Sequence, residues 1–403
     1  MVTNIVGPPV RGPNCYGREA FVELVWEKLA VGHVLLAAPR RFGKTSILYR
    51  LIDQPRSGYR FVHADLEHFA EPAELVTALV VQLARDGRLR RVAEGLSYFP
   101  KALWKRFSET FDEVELFKFK VKLKEKVRAR WQESGEELFG RVADSHGTVV
   151  FILDEFPWML ERMTHSEPHR EEARTLLRWL RALRQSPGAA NARFMIAGSI
   201  GIGHVLRELG ETAAINDFEQ LRLEPLAPQV AAGLVDELSS THQLALSLAS
   251  KKRMLELIGT LVPYFIQVLF SEVAKAHKQD GKPVTPARIA QVYREKVLGV
   301  DCRTYFDHYY GRLRDYYKPH EEKFIKRLLR ELAVVGSLSR EACYQFYKGE
   351  TGELADVEAF NHLMSDLEND FYVRFDPQAR KYEFACKLLR DWWLRHYAME
   401  AEA

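Results

Sequence analysis

His33-Val34-Leu35-Leu36-Ala37-Ala38-Pro39-Arg40-Arg41-Phe42-Gly43-Lys44-Thr45-Ser46 is the stretch on which the reading of this chain turns. Val34 to Ala37 form an unbroken apolar run, the pattern of a parallel strand covered on both faces. The residues that follow match G-x-x-x-x-G-K-[ST], with Ala38 in place of the first glycine, and a helical pattern over Lys44 to Leu51 begins at once. Each position has a physical job. The loop turns its backbone N–H groups inward as an anion nest, and the helix behind it adds the positive end of its dipole. Gly43 leaves room for close approach, and Lys44 adds a point charge. Alanine is the smallest replacement for the first glycine and disturbs the turn least.

Working outward, Tyr59 to Ala64, Thr148 to Leu153, Phe194 to Ala197 and Leu221 to Leu223 read as further strands. Pro72 to Arg85 and Glu171 to Gln185 read as helices between them. The alternation predicts an α/β fold, a doubly wound parallel sheet. The strand Val149 to Leu153 runs straight into Asp154-Glu155. A hydrophobic strand ending in two carboxylates is what a Walker B element needs: Asp154 to hold Mg²⁺ beside the Thr45 hydroxyl, and Glu155 to polarise an attacking water. Lys44 would reach the β- and γ-phosphates of ATP. The strand ending Gly198-Ser199 places a hydroxyl at a third strand end, where Ser199 could sense the γ-phosphate or serve as a helix N-cap. In open α/β sheets ligands gather at the carboxyl ends of strands, where all three motifs fall.

These residues resemble the STAND and archaeal-type ATPases, P-loop NTPases related to the AAA+ proteins. The family's P-R-R-x-G-K-T-S loop is matched by Pro39, Arg40, Arg41, Phe42, Gly43, Lys44, Thr45 and Ser46. Its aromatic-x-Gly-Arg-Glu element, near the adenine in the family, is matched without the spacer by Tyr16-Gly17-Arg18-Glu19. The resemblance implies a helical lid with a Gly-x-Pro element near the nucleotide. Here Gly259 and Pro263 stand further apart, and Pro263 is the residue carried over. It implies a P-loop ATPase core over residues 1–225 with a basic insert at about 85–145, a lid over 226–300 and a winged helix-turn-helix domain over 301–403. The activity it implies is Mg²⁺-dependent ATP hydrolysis by a nucleotide-dependent switch. No arginine is assigned as a finger, and Arg40, Arg41, Arg181, Arg184 and Arg193 read as solvated or structural. A protein partner or self-association would supply that charge.

Lys44 and Asp154 are 110 positions apart because a basic segment intervenes, with fourteen Lys/Arg and seven Asp/Glu between Arg85 and Arg130. Within it Phe117, Phe119, Val121 and Leu123 alternate with Lys118, Lys120, Lys122 and Lys124, which predicts a strand with one apolar and one lysine face. A solvated sheet edge, whose lysines discourage edge-to-edge pairing, outweighs a nucleic-acid surface here. Toward the end, helix patterns around Phe324–Leu332, up to Tyr347 and around Phe360–Leu367 precede a hairpin at 371–384, a winged-helix outline. Its thirteen Lys/Arg against fourteen Asp/Glu from Lys318 to Arg395 favour protein contact over DNA reading. DNA binding and a non-hydrolysing ATP-binding scaffold remain the alternatives.

Composition excludes other classes. Over 403 residues, 47% hydrophobic and 28% charged residues support buried cores, and a net charge of +3 argues against a nucleic-acid coat. The four scattered cysteines (Cys15, Cys302, Cys343, Cys386) fit neither zinc site nor disulfide framework. Leu257 to Phe270 is too short and too interrupted to span a bilayer, and the first residues lack a signal-peptide core, so a cytoplasmic protein without membrane association is expected. His165 and His169 flank Pro168, against zincin chemistry. His63, Asp65, Glu67 and His68 read as strand-end polar groups, and Trp392-Trp393 as packing.

Overall fold

The computed structural model describes residues 2–110, 113–189, 191–198, 201–352 and 355–398. The chain divides into two compact units: Ala20–Ala38 with Ile47–Leu223, and Met1–Glu19 with Pro39–Ser46 and Glu224–Ala403.

The first unit is built on five parallel strands. Helix α1 (Glu19–Val31) leads into β1 (His33–Ala37), and α2 (Lys44–Asp53) into β2 (Tyr59–Asp65). Five helices follow: α3 (Pro72–Arg85), α4 (Arg90–Gly95), α5 (Lys101–Thr110), α6 (Glu113–Arg128) and α7 (Trp131–Ala143). Then come β3 (Thr148–Asp154), α8 (Phe156–Thr164), α9 (Glu167–Arg184), β4 (Ala192–Gly198), α10 (Ile202–Leu209) and β5 (Phe218–Arg222). The strand order is β2-β3-β4-β1-β5, every pair parallel. Central β3 and β4 are almost wholly buried, whereas edge strand β5 buries only Phe218 and Leu221 and exposes Glu219, Gln220 and Arg222. Doubly covered strands need continuous hydrophobic runs and edge strands do not. Helix α3 lies on β2, and α7 and α8 on β4. Phe139 of α7 closes the core against Phe151 and Phe194, with ring centroids 4.9 and 5.4 Å away.

The expected lysine strand is a helix. In α6, Phe119, Leu123 and Val127 are buried at helical spacing, while Phe117 is 67% exposed. Lys124 pairs with Glu74 of α3 at 2.8 Å, and Arg128 with Glu71 at 3.0 Å. The period-two pattern was a local coincidence; burial against α3 follows the 3.6 period.

The second unit contains α11 (Pro228–Thr241), α12 (Leu248–Ile258), α13 (Pro263–Asp280), α14 (Pro286–Val292), α15 (Asp307–Tyr316) and α16 (Pro319–Val335). After them run β6 (Ser337–Ser339), α17 (Arg340–Thr351), α18 (Val357–Asn369), β7 (Val373–Asp376), β8 (Lys381–Phe384) and α19 (Lys387–Tyr397). The three short strands form an antiparallel sheet in the order β6-β8-β7. Trp392 and Trp393 are fully buried, as their packing role requires, and the four cysteines are buried and form no disulfide. Among the described residues no helix is long and apolar enough to cross a membrane.

Candidate functional site

Sheet register gathers the strand ends. Asp154 of β3 pairs with Ala197 of β4, and Ala197 with Leu36 of β1. At the usual strand spacing the end of β3 lies about 10 Å from the end of β1. Ala37, Asp154 and Gly198 thus stand on one carboxyl edge. Ser199 falls outside the described residues.

At that edge Asp154 is 4% exposed, and its Oδ1 accepts the N–H of Glu155 at 3.1 Å. Glu155 caps α8 in the left-handed region, with φ 55°. A non-glycine residue there is strained, and such strain collects where function demands a fixed geometry. His63 of β2 lies with Nε2 3.7 Å from Asp154 Oδ2, too far for a hydrogen bond. Alternation along β2 was expected to isolate His63 from its own-strand neighbours; the carboxylate it approaches is on the adjacent strand. Among the described residues no group of three His, Cys, Asp or Glu could hold a metal by itself.

The loop itself, residues 39–46, is braced within the second unit. Phe42 N–H donates to Pro39 O at 3.4 Å, and Arg41 and Gly43 both take positive φ, 72° and 93°. A Cβ placed on Gly43 would meet nothing within 4 Å, so the space before the loop is open. Lys44 and Thr45 open α2, whose first amides have no intrahelical acceptor. The open space at Gly43, the amino end of the helix and the lysine together fit an incoming phosphate group.

Outside the cradle the contacts are dense. Arg18, 7% exposed, donates to Phe42 O at 3.2 Å and to Glu224 O at 2.7 Å. Burial lowers its pKa to about 10, which leaves it charged at neutral pH. Gly17, with φ 69°, lies where a Cβ would come within 2.3 Å of Val230 Cγ1. Arg41 donates to Gly7 O at 2.8 Å and lies over the Tyr264 ring at 4.8 Å. Pro263 is the first residue of α13, next to that tyrosine. Tyr309 donates its hydroxyl proton to Arg40 O at 3.2 Å, Ser46 Oγ accepts Val10 N–H at 3.0 Å, and Phe42 packs edge-on against Phe371 at 4.6 Å. Sequence reasoning had not found Tyr309 or Phe371, because no motif marks residues that act 260 or more positions away.

No protein-family model and no curated protein matches the chain. Solved structures do. Over 97% of this chain and 99% of its own, the Walker-type ATPase PABY2304 of Pyrococcus abyssi is similar in structure, with TM-score 0.64 and 14% identity. The fold is that of a P-loop ATPase. A second likeness is to the Aeropyrum pernix ORC2 protein, solved as ADPNP-ADP complexes, with TM-score 0.54, 13% identity and coverage of 97% and 94%. In this chain β1, the strand that runs into residues 39–46, lies between β4 and β5.

Proposed function

We propose that this protein binds ATP with Mg²⁺ and hydrolyses it as a nucleotide-dependent switch. The single observation that carries the reading is the open, positive-φ cradle at Gly43, with Lys44 and Thr45 opening α2 directly after it. In this reading Pro39 to Ser46 wrap the phosphates, Lys44 holds the β- and γ-phosphates, and Gly17, Arg18 and Pro263 border the nucleotide. Arg18 does so by fixing the loop backbone at Phe42. Mg²⁺, held by the Thr45 hydroxyl and the Asp154 carboxylate, would neutralise phosphate charge. Glu155, preset by its backbone, would orient the attacking water and accept its proton, and Ser199 would sense the phosphate.

The C-terminal order helix-strand-helix-helix-strand-strand, α16 to β8, supports assigning a winged helix to that segment, following a lid over residues 226–300. Tyr309 and Phe371 touch the loop directly, which supports a switch whose loop conformation biases that segment. A protein partner or second copy would supply the finger arginine, since Arg184 is bound to Asp217 at 2.8 Å and Arg41 to Gly7 O. With α6 helical, two of its cations are taken up by Glu74 and Glu71, which weakens the case for a DNA surface there. Phosphate release by the wild type and by Glu155→Gln tests hydrolysis. A drop of about a hundredfold or more is expected for loss of a positioned base, and equal rates would leave an ATP-binding scaffold.

A further inference from the structure

Helix α16 carries Lys323, Lys326, Arg327 and Arg330 on one face, and all four border a cavity of about 290 Å³. The cations are unequally satisfied. Lys326 pairs with Glu322 at 2.6 Å, and Arg327 with Glu350, the one carboxylate lining the cavity, at 2.9 Å. Arg330 reaches only to 3.8 Å from Glu331, and its Nε is buried without a hydrogen-bond partner. Lys323 is exposed and has no ion-pair partner among the described residues. Opposite, from α19, Trp393 also borders the cavity; it is fully buried and its Nε1 has no acceptor either.

Buried donors without acceptors cost free energy, and natural proteins rarely leave two beside one cavity without a ligand or water to fill it. Everything unsatisfied here donates, and the surplus charge is positive. The geometry points to a binding site for a small phosphate dianion, either inorganic phosphate or the terminal phosphate of a compact phosphate ester. Terminal phosphate fits better than a nucleic-acid backbone, because four cations of one helix border a single small cavity that only one carboxylate lines. A nucleotide is disfavoured too. Tyr310 stacks on Tyr397 at 3.9 Å and Lys326 lies 4.2 Å from its ring centroid, so the Tyr310 ring is already engaged. The volume is at the small end for ligand cavities. These residues are distinct from those of the proposed nucleotide site.

The test uses the full chain carrying Lys44→Ala, so that the loop makes no contribution. Calorimetric titration at low salt with inorganic phosphate and with glycerol phosphate should give saturable binding. Lys323→Ala and Arg330→Gln should each weaken it about tenfold or more, the loss expected for one charge-assisted hydrogen bond. Lys323 is exposed, so its variant remains informative if Arg330→Gln does not fold. Tighter binding of either anion names the source. Absence of saturable heat with both, unchanged affinity in the Lys323 variant, or a loss confined to duplex DNA binding would overturn the proposal.

Discussion

The Phe42 ring, one residue before the loop glycine, meets the Phe371 ring edge-on with centroids 4.6 Å apart. Phe42 is 1% exposed, and Phe371 holds a left-handed backbone (φ 65°) just after α18, where its N–H bonds Glu368 O at 3.2 Å. A helix terminus that would be easier for glycine thus carries a phenylalanine, and the ring goes to the phosphate loop. Replacing Phe371 with alanine should lower ATP affinity about three- to tenfold by leaving the loop less ordered before binding. A double-mutant cycle with Phe42→Leu should return a coupling of about 0.5–1.5 kcal/mol. Additive effects on both folding and ATP affinity would remove the contact from the account.

A pair of substitutions tests the helical reading of the basic segment. Phe117 and Phe119 would share a face in a strand, but in α6 the first is 67% exposed and the second fully buried. Phe119→Ala should cost about 3–5 kcal/mol in urea unfolding, and Phe117→Ala within about 0.5 kcal/mol. Equal losses would restore the strand.

Two histidines give the fold an acid limit. Burial, reinforced by Arg41 and Arg40, depresses His308 to about 3, and burial with Arg184 depresses His33 to about 4. Both are neutral in the fold, so the unfolded chain takes up protons below about pH 6.5 that the native state refuses. Their contribution is whole above that pH and is lost as pH falls toward 3 and 4, at up to about 1.4 kcal/mol per pH unit for each. Urea unfolding at pH 7 and pH 5 should show a smaller loss for His308→Asn than for the wild type. An NMR titration of His308 with its midpoint near 6.5 would contradict this.

Much of the sheet was legible because its central strands are covered on both faces and therefore read as plain apolar runs. Helix α3, Pro72–Arg85, was bounded in the sequence by its first-turn proline and its periodicity. The edge was harder: β5 begins at Phe218, three residues before the expected Leu221, because an exposed strand keeps polar residues that hide its start. The insert failed for the opposite reason, since Phe117 to Lys124 alternates perfectly while its burial is decided by α3, fifty residues earlier. The loop, Asp154 and Glu155 were visible as short motifs tied to strand ends. Much of their surroundings was not, because Tyr309 and Phe371 reach the loop through long-range backbone and ring contacts that carry no local pattern.

The central claim is that the turn at Gly43 and Lys44 holds the triphosphate. Equilibrium titration of the full chain with ATP and Mg²⁺, wild type against Lys44→Ala, tests it most directly. Affinity should fall at least about a hundredfold in the variant, roughly 3 kcal/mol of lost charge-assisted bonding, with its urea unfolding curve little changed. Equal affinity in the two folded proteins would place the nucleotide elsewhere and contradict the account.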